Sequence, residues 1–373
     1  MIYLDYSATT KADERVLDTF VKVSKEYIGN PNSLHELGNK SKSLIDSATN
    51  QIKQLLNIDS DIIYTSGASE ANNLAIKGVA LRYKNRGKHI ITTPLEHSSV
   101  NEPINYLKSE GFSVDILKLD DYGRIDLFDL ESKLTDDTIL VSINAVNSEL
   151  GILQPLDEIS KIIKKYNKCF FHSDITQAIG KVNINIDNID LVSFSSHKFF
   201  GIKGIGALIK KKNIDLVPLI HGGKSTTIYS SGTPSTPLIV SLAKALRLSL
   251  EDLNTKYNEV SKLNKYLVNE LSKYEKVKIN SNEYSIPHIL NISVIGVKPE
   301  TFMHALEEFD IYVSTKSACS TSKESSAVFS ITKDHLRALS SIRISISHLT
   351  TKEEIDNFIK GFDTCYKRLT NLK

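Results

Sequence analysis

Tryptophan is absent from this chain, methionine occurs twice and cysteine only three times. The missing tryptophan excludes no function, but the cysteines narrow the field. Cys169, Cys319 and Cys365 are odd in number and far apart, which supports neither a disulfide framework nor a metal cluster and fits a reducing compartment. Charge of one sign is also lacking: 46 basic residues stand against 44 acidic ones, so nothing marks a dedicated nucleic-acid binder. No apolar run reaches the roughly 18 residues of a membrane span. The opening Met1-Ile2-Tyr3-Leu4-Asp5-Tyr6-Ser7 has neither the basic start nor the long apolar stretch of a signal peptide. A soluble, cytoplasmic protein is the expectation. The 373 residues, free of internal repeats and low-complexity tracts, are enough for one large and one small domain.

What is present is an alternation. From about residue 36 to residue 210, strand-like and helix-like segments follow one another, as in a parallel α/β sheet. The pattern predicts strands over 62–65, 89–93, 114–117, 138–144, 169–174, 191–195 and 205–209, and helices over 37–56, 70–86 and 157–166. A helical pattern from Thr236 to about Tyr274 then leads to an α+β unit, with strands at 276–279, 289–294 and 342–346 and helices at 299–309 and 351–368. Thr350 and Glu353 read as a capping box for the last helix. The Ser-, Thr- and Lys-rich stretch 317–330 is the best candidate for a mobile loop.

Two strand ends carry chemistry. Asp174 closes the run Cys169-Phe170-Phe171-His172-Ser173-Asp174, and Ser195-Ser196-His197-Lys198 closes the next, Leu191-Val192-Ser193-Phe194. A carboxylate that keeps a pyridine nitrogen protonated, beside a lysine able to form a Schiff base, is what pyridoxal 5'-phosphate (PLP) requires. Open α/β sheets also place ligands at strand ends. An isolated lysine is nearly always a surface residue, but that alternative leaves the paired Asp and Lys unexplained. Thr65-Ser66-Gly67-Ala68-Ser69-Glu70 adds a small-residue turn opening a helix, which suits a phosphate. Taken alone it is only a helix cap, with Ser69 as a good N-cap.

Taken together, these motifs resemble the cysteine desulfurases of the class V aminotransferase fold, the NifS/IscS-like group, almost from end to end. Further stretches that carry the resemblance are Tyr3-Leu4-Asp5-Tyr6-Ser7-Ala8-Thr9-Thr10, Gly29-Asn30-Pro31-Asn32-Ser33-Leu34-His35, Glu96-His97 and Val146-Asn147-Ser148-Glu149-Leu150-Gly151. Asp174-Ile175-Thr176-Gln177, Ser317-Ala318-Cys319-Ser320 and Ser341-Ile342-Arg343-Ile344-Ser345 complete them. The resemblance implies a PLP-dependent transferase of fold type I, with a large mixed or parallel sheet domain over 14–253. A small α+β domain would comprise 1–13 and 254–373 and carry the cysteine loop. It implies that Lys198 bears the cofactor, that Asp174 meets the ring nitrogen, and that His97 stacks on the ring and exchanges protons with substrate, including the thiol proton. Asn147 and Gln177 would bond the ring oxygen or substrate; Ala68, Ser69, Ser195, Ser196 and His197 would surround the phosphate. Arg343 would clamp the substrate carboxylate. Thr233 would reach the phosphate of a neighbouring subunit, which implies a homodimer.

Cys319 separates the relatives. A desulfurase needs a thiolate that attacks the sulfur of L-cysteine and keeps it as a persulfide, releasing L-alanine. Cys169 and Cys365, in an apolar strand and on a helix, read as packing residues. Ser230 stands where relatives carry a basic residue, and the segment after Cys319 is shorter than in scaffold-dedicated members. That favours a tRNA- or cofactor-thiolation enzyme as sulfur acceptor over an iron–sulfur scaffold. Two alternatives stay open: a selenocysteine lyase or other class V PLP lyase or aminotransferase, which does not need Cys319, and a non-catalytic sulfur-relay protein, which does not need Lys198.

Overall fold

A computed structural model describes residues 1–315 and 324–370. Its centre is a seven-stranded sheet. In spatial order the strands are Asp61–Thr65, Gly206–Lys210, Leu191–Ser195, Phe170–Asp174, Thr138–Ser142, His89–Thr92 and Ser113–Ile116. Six point the same way and Gly206–Lys210, antiparallel to both its neighbours, runs against them, so the sheet is mixed. Strands such as Thr138–Ser142 and Leu191–Ser195 are buried at every position, which is why they read as near-continuous apolar runs rather than alternating ones. The seven expected strands are all found, with ends displaced by a residue or two. Helix Ala68–Tyr83 packs on the sheet over Leu191–Ser195 and Gly206–Lys210.

The second sheet has three antiparallel strands, Val277–Ile279, Ile289–Val294 and Ser341–Ser345. Its apolar cluster gathers Leu4, Phe302, Ile342, Phe358 and Phe362. The amino terminus is part of this region: Ile2–Tyr3 pairs in parallel with Ile311–Tyr312, and Asp5 bridges to Ser345. These two-residue strands are too short to show a period.

Four local expectations are corrected. Helix Ala68–Tyr83 begins two residues early, with Gly67 rather than Ser69 at its N-cap, because Glu70 already accepts the Ser66 N–H and hydroxyl and closes the turn. The capping box of the last helix, Lys352–Thr370, is Thr351 with Glu354, each accepting the other's backbone N–H, whereas the Thr350 hydroxyl accepts from the Ser347 N–H. The helical stretch after Thr236 is two helices, Thr236–Leu250 and Leu253–Leu271, broken at Asp252 in the left-handed region with φ 51°. Within the stretch expected as a loop, the described part forms helix Ser326–Thr332. Ser325 caps it and also donates to the buried Glu149 carboxylate at 2.5 Å.

Candidate active site

Asp174 and Ser195 end adjacent parallel strands, so their side chains converge on one space. There they line a cavity of about 450 Å³ with Ala68, Ser69, His97, Gln177, His197, Lys198 and Arg343. That volume suits a small-molecule ligand. Asp174 is buried, and two donors fix its carboxylate. Oδ1 accepts from the Thr176 N–H at 2.9 Å and Oδ2 from Asn72 Nδ2 at 2.8 Å.

Lys198 follows directly from Ser195 through a single 3₁₀ turn, and its Nζ donates to the carbonyls of Ser7 at 2.6 Å and Ala8 at 2.8 Å. The amino-terminal segment therefore positions the amine. Gln177 donates to the same Ser7 carbonyl at 2.9 Å, while its Oε1 accepts from buried Lys181 at 2.6 Å. Burial, reinforced by Lys198 and Arg343, lowers the Lys181 amine to about 7. Arg343 comes from the second sheet. Its Nη2 pairs with Asp5 at 2.8 Å and its Nη1 donates to the Ser148 carbonyl at 3.0 Å, which leaves Nε buried without a partner among the described residues.

At the far wall, no side chain caps helix Ala68–Tyr83, so its first N–H groups and positive dipole end meet Ser69, Ser195 and His197. His197 bonds Thr9 Oγ1 at 3.1 Å, and burial lowers its imidazole to about 4, so it is neutral. Thr176 Oγ1 and Ser196 Oγ are buried without partners among the described residues. An uncapped helix start ringed by hydroxyls, a fixed carboxylate and a lysine make a donor set that fits PLP.

Not every expected residue lines the cavity. Asn147 is buried behind it: Nδ2 donates to the Leu95 carbonyl and Oδ1 accepts from the Glu149 and Leu150 N–H groups, so much of its amide holds a turn. Ser196 is fully buried against Gly201, where a Cβ would lie 1.8 Å from its Oγ. Thr233 is exposed. Cys319 lies outside the described residues. Conversely, Ser7, Ala8, Ser99, Asn144 and Thr176 line the cavity, and Asn72 and Asp5 brace its charged groups. Most of these stood inside the quoted motifs, but only the chain's closure shows what they touch.

Glu96, beside His97, is fully buried. Its Oε1 accepts from Thr93 and from the Asn144 N–H, and Oε2 has no partner among the described residues. Burial chiefly, then Asp174, raises its carboxyl from 4.5 to about 8. The folded protein thus holds a proton that the unfolded chain loses above about 4.5, so this stability is present at low pH and lost as pH rises toward about 8. Chemical unfolding across that window should show wild type weakening relative to Glu96→Gln, and parallel curves would refute it.

Comparison with known proteins gives a consistent result. The family model "Aminotransferase class-V" matches residues 2–358. A "NifS/IcsS protein homolog" of Lactobacillus delbrueckii subsp. bulgaricus is 40% identical, over all of this chain and 99% of its own length. The "Cysteine desulfurase, mitochondrial" of Saccharomyces cerevisiae is 41% identical over all of this chain and 76% of its own. Among solved structures, a "NIFS-LIKE PROTEIN" superposes with TM-score 0.93 at 35% identity, each chain fully covered.

Proposed function

The chain belongs to the class V aminotransferase family and is a PLP-dependent cysteine desulfurase, and from that premise we propose how its own residues divide the work. The observation that carries the reading is the convergence of Asp174, Lys198 and Arg343 on one cavity beside an uncapped helix start. Bound there, PLP supplies an electron sink that makes the Cα proton of an amino acid acidic.

Each group then has one task. Lys198 would hold the cofactor between turnovers and take the Cα proton of L-cysteine at Nζ. Asp174 would accept the hydrogen bond of the ring nitrogen, His97 would cover the ring, and Gln177 and Asn147 would serve the ring oxygen. Ala68, Ser69, Ser195 and His197 would hold the phosphate. Arg343 offers its unpartnered Nε–H to the substrate carboxylate. The Cys319 thiolate attacks the substrate sulfur. The S–S bond forms as the Cβ–S bond breaks, the electron pair stays on carbon, one proton is taken up at Cβ, and the return of the Cα proton completes L-alanine. Incubation of the purified protein with L-cysteine, with alanine and sulfide assayed separately, tests the reading: sulfide without alanine would exclude it.

Arg343→Ala should weaken apparent cysteine affinity by about tenfold or more, since a charge-assisted contact of roughly 1.5 kcal/mol is lost. Unchanged dependence of rate on cysteine would place the carboxylate elsewhere.

We propose the division into a large unit, 14–253, and a small one, 1–13 with 254–373, and test it by limited proteolysis, which should cut between them first. We propose a homodimer in which exposed Thr233 reaches the partner's phosphate site. Loss of dimerisation should then loosen PLP in both sites, and a monomer in sedimentation that retains full PLP would rule this out. No helix of the described residues is long and apolar enough to cross a membrane. A cytoplasmic site of action and a tRNA-thiolation or iron–sulfur acceptor complete the proposal, and transfer of labelled sulfur to such acceptors, side by side, decides between them.

A further inference from the structure

Beneath the cavity, a line of hydrogen bonds crosses the sheet. Ser142 Oγ lies 2.8 Å from His172 Nδ1, His172 Nε2 lies 3.1 Å from Ser193 Oγ, and Ser193 donates to Asn72 Oδ1. Asn72 Nδ2 donates both to Asp174 Oδ2 at 2.8 Å and to Ser99 Oγ at 2.9 Å, and Ser99 Oγ lies 2.8 Å from His97 Nδ1. Asn72, Ser142, His172 and Ser193 are fully buried, so water cannot substitute for a misdirected bond.

The donors in this line can be assigned from the ends inward. An amide oxygen only accepts, so the single Ser193 hydroxyl proton goes to Asn72. Ser193 must then accept from His172, which places a proton on His172 Nε2 and leaves Nδ1 to accept from Ser142. Burial lowers the His172 imidazole to about 4, which keeps this tautomer neutral. At the other end the Ser99 backbone N–H, which can only donate, lies 3.1 Å from His97 Nδ1. His97 is the N-cap of helix Ser98–Ser109, so Nδ1 is tied to the helix start as an acceptor. Burial again disfavours the imidazolium. Every bond therefore points one way, from Ser142 toward Asp174 and His97.

We propose that Asn72 is a positioning residue that joins the ring-nitrogen carboxylate to the histidine, and that by orienting the Ser99 hydroxyl it gives His97 Nδ1 a second donor beside the Ser99 N–H, which reinforces the His97 proton on Nε2. This rests on the reading that Asp174 and His97 flank the cofactor. Its consequence is specific. His97 offers the cavity an N–H donor, so it orients the substrate and does not take the thiol proton at Nε2 as the family resemblance implies. A hydrogen bond from Asn72 to Asp174 also ties the carboxylate and the imidazole to one amide, so a disturbance at either is felt at both.

The test is nitrogen NMR of the holoenzyme labelled with ¹⁵N-histidine, the His97 signals being identified by their loss in His97→Gln. The expected spectrum between about pH 7 and 8 shows His97 unprotonated at Nδ1 and protonated at Nε2. A protonated Nδ1 or an imidazolium in that range would overturn the proposal. Asn72→Asp, nearly isosteric, replaces the donor by an acceptor: the Ser99 hydroxyl should turn to the new carboxylate, the His97 Nδ1 signal should shift because only the Ser99 N–H still donates to it, and kcat should fall about tenfold or more with a smaller change in KM. Unchanged His97 signals and unchanged cofactor absorbance in that variant would remove Asn72 from its role. Should that variant not fold, Ser99→Ala must shift the His97 signals and Ser99→Thr must restore them, or the relay is wrong. The assigned tautomer in a protein that makes no alanine would instead defeat the functional reading and leave the relay standing.

Discussion

Cys319→Ser protein should bind PLP and L-cysteine as the wild type does and yet form almost no alanine. Neither binding step uses the thiol, whereas sulfur transfer needs a thiolate that the other two cysteines do not offer. Burial holds the Cys169 thiol well above its ordinary range, and the thiol of Cys365, with no exposed surface, is pushed up to about 11. A thiol that does not ionise does not attack. Loss of the nucleophile should lower alanine formation by about three orders of magnitude or more. Persulfide labelling should vanish with it. If Cys319→Ser still yields alanine and sulfide near the wild-type rate, sulfur leaves without a protein nucleophile and a lyase becomes the better description. A label found on Cys169 or Cys365 would keep the reaction and move its carrier.

Lys198→Ala should lose both the covalent tether and the base. Its Nζ is held by the Ser7 and Ala8 carbonyls, within the cavity that Asp174 also lines, so its replacement leaves the cofactor's noncovalent contacts in place. The variant should therefore still take up PLP, without the covalent link that borohydride traps in the wild type. Turnover should fall by about 10² to 10⁴, the span of a lost acid–base group. Peptide mapping of the reduced wild type that puts the pyridoxyl group on another lysine, such as buried Lys181, would reassign the site.

How much was legible in the sequence differs between the strands and the site. Fully buried strands such as Leu191–Ser195 announce themselves as apolar runs, because burial on both faces leaves no place for polar residues. Asp174 and Lys198 stood out for the complementary reason: a carboxylate and an amine terminate such runs where nothing structural requires them. Caps were harder to place. Ser69 and Thr350 carry good capping chemistry, yet Glu70 and the Thr351–Glu354 pair used the helix starts first, a choice between neighbours made by side-chain reach.

The sequence by itself determined the alternation of elements, the residues that could bear a PLP site and the cysteine that could carry sulfur. Each depends on residue type and near-neighbour spacing. Only the tertiary structure decided which groups share a boundary: that Asp5 pairs with Arg343 across 338 positions, that the Ser7 and Ala8 carbonyls hold Lys198, and that Asn72 reaches Asp174 across 102. No local pattern encodes such contacts, because a buried polar group takes the partner that the closing chain brings within hydrogen-bond distance, wherever that partner lies along the chain.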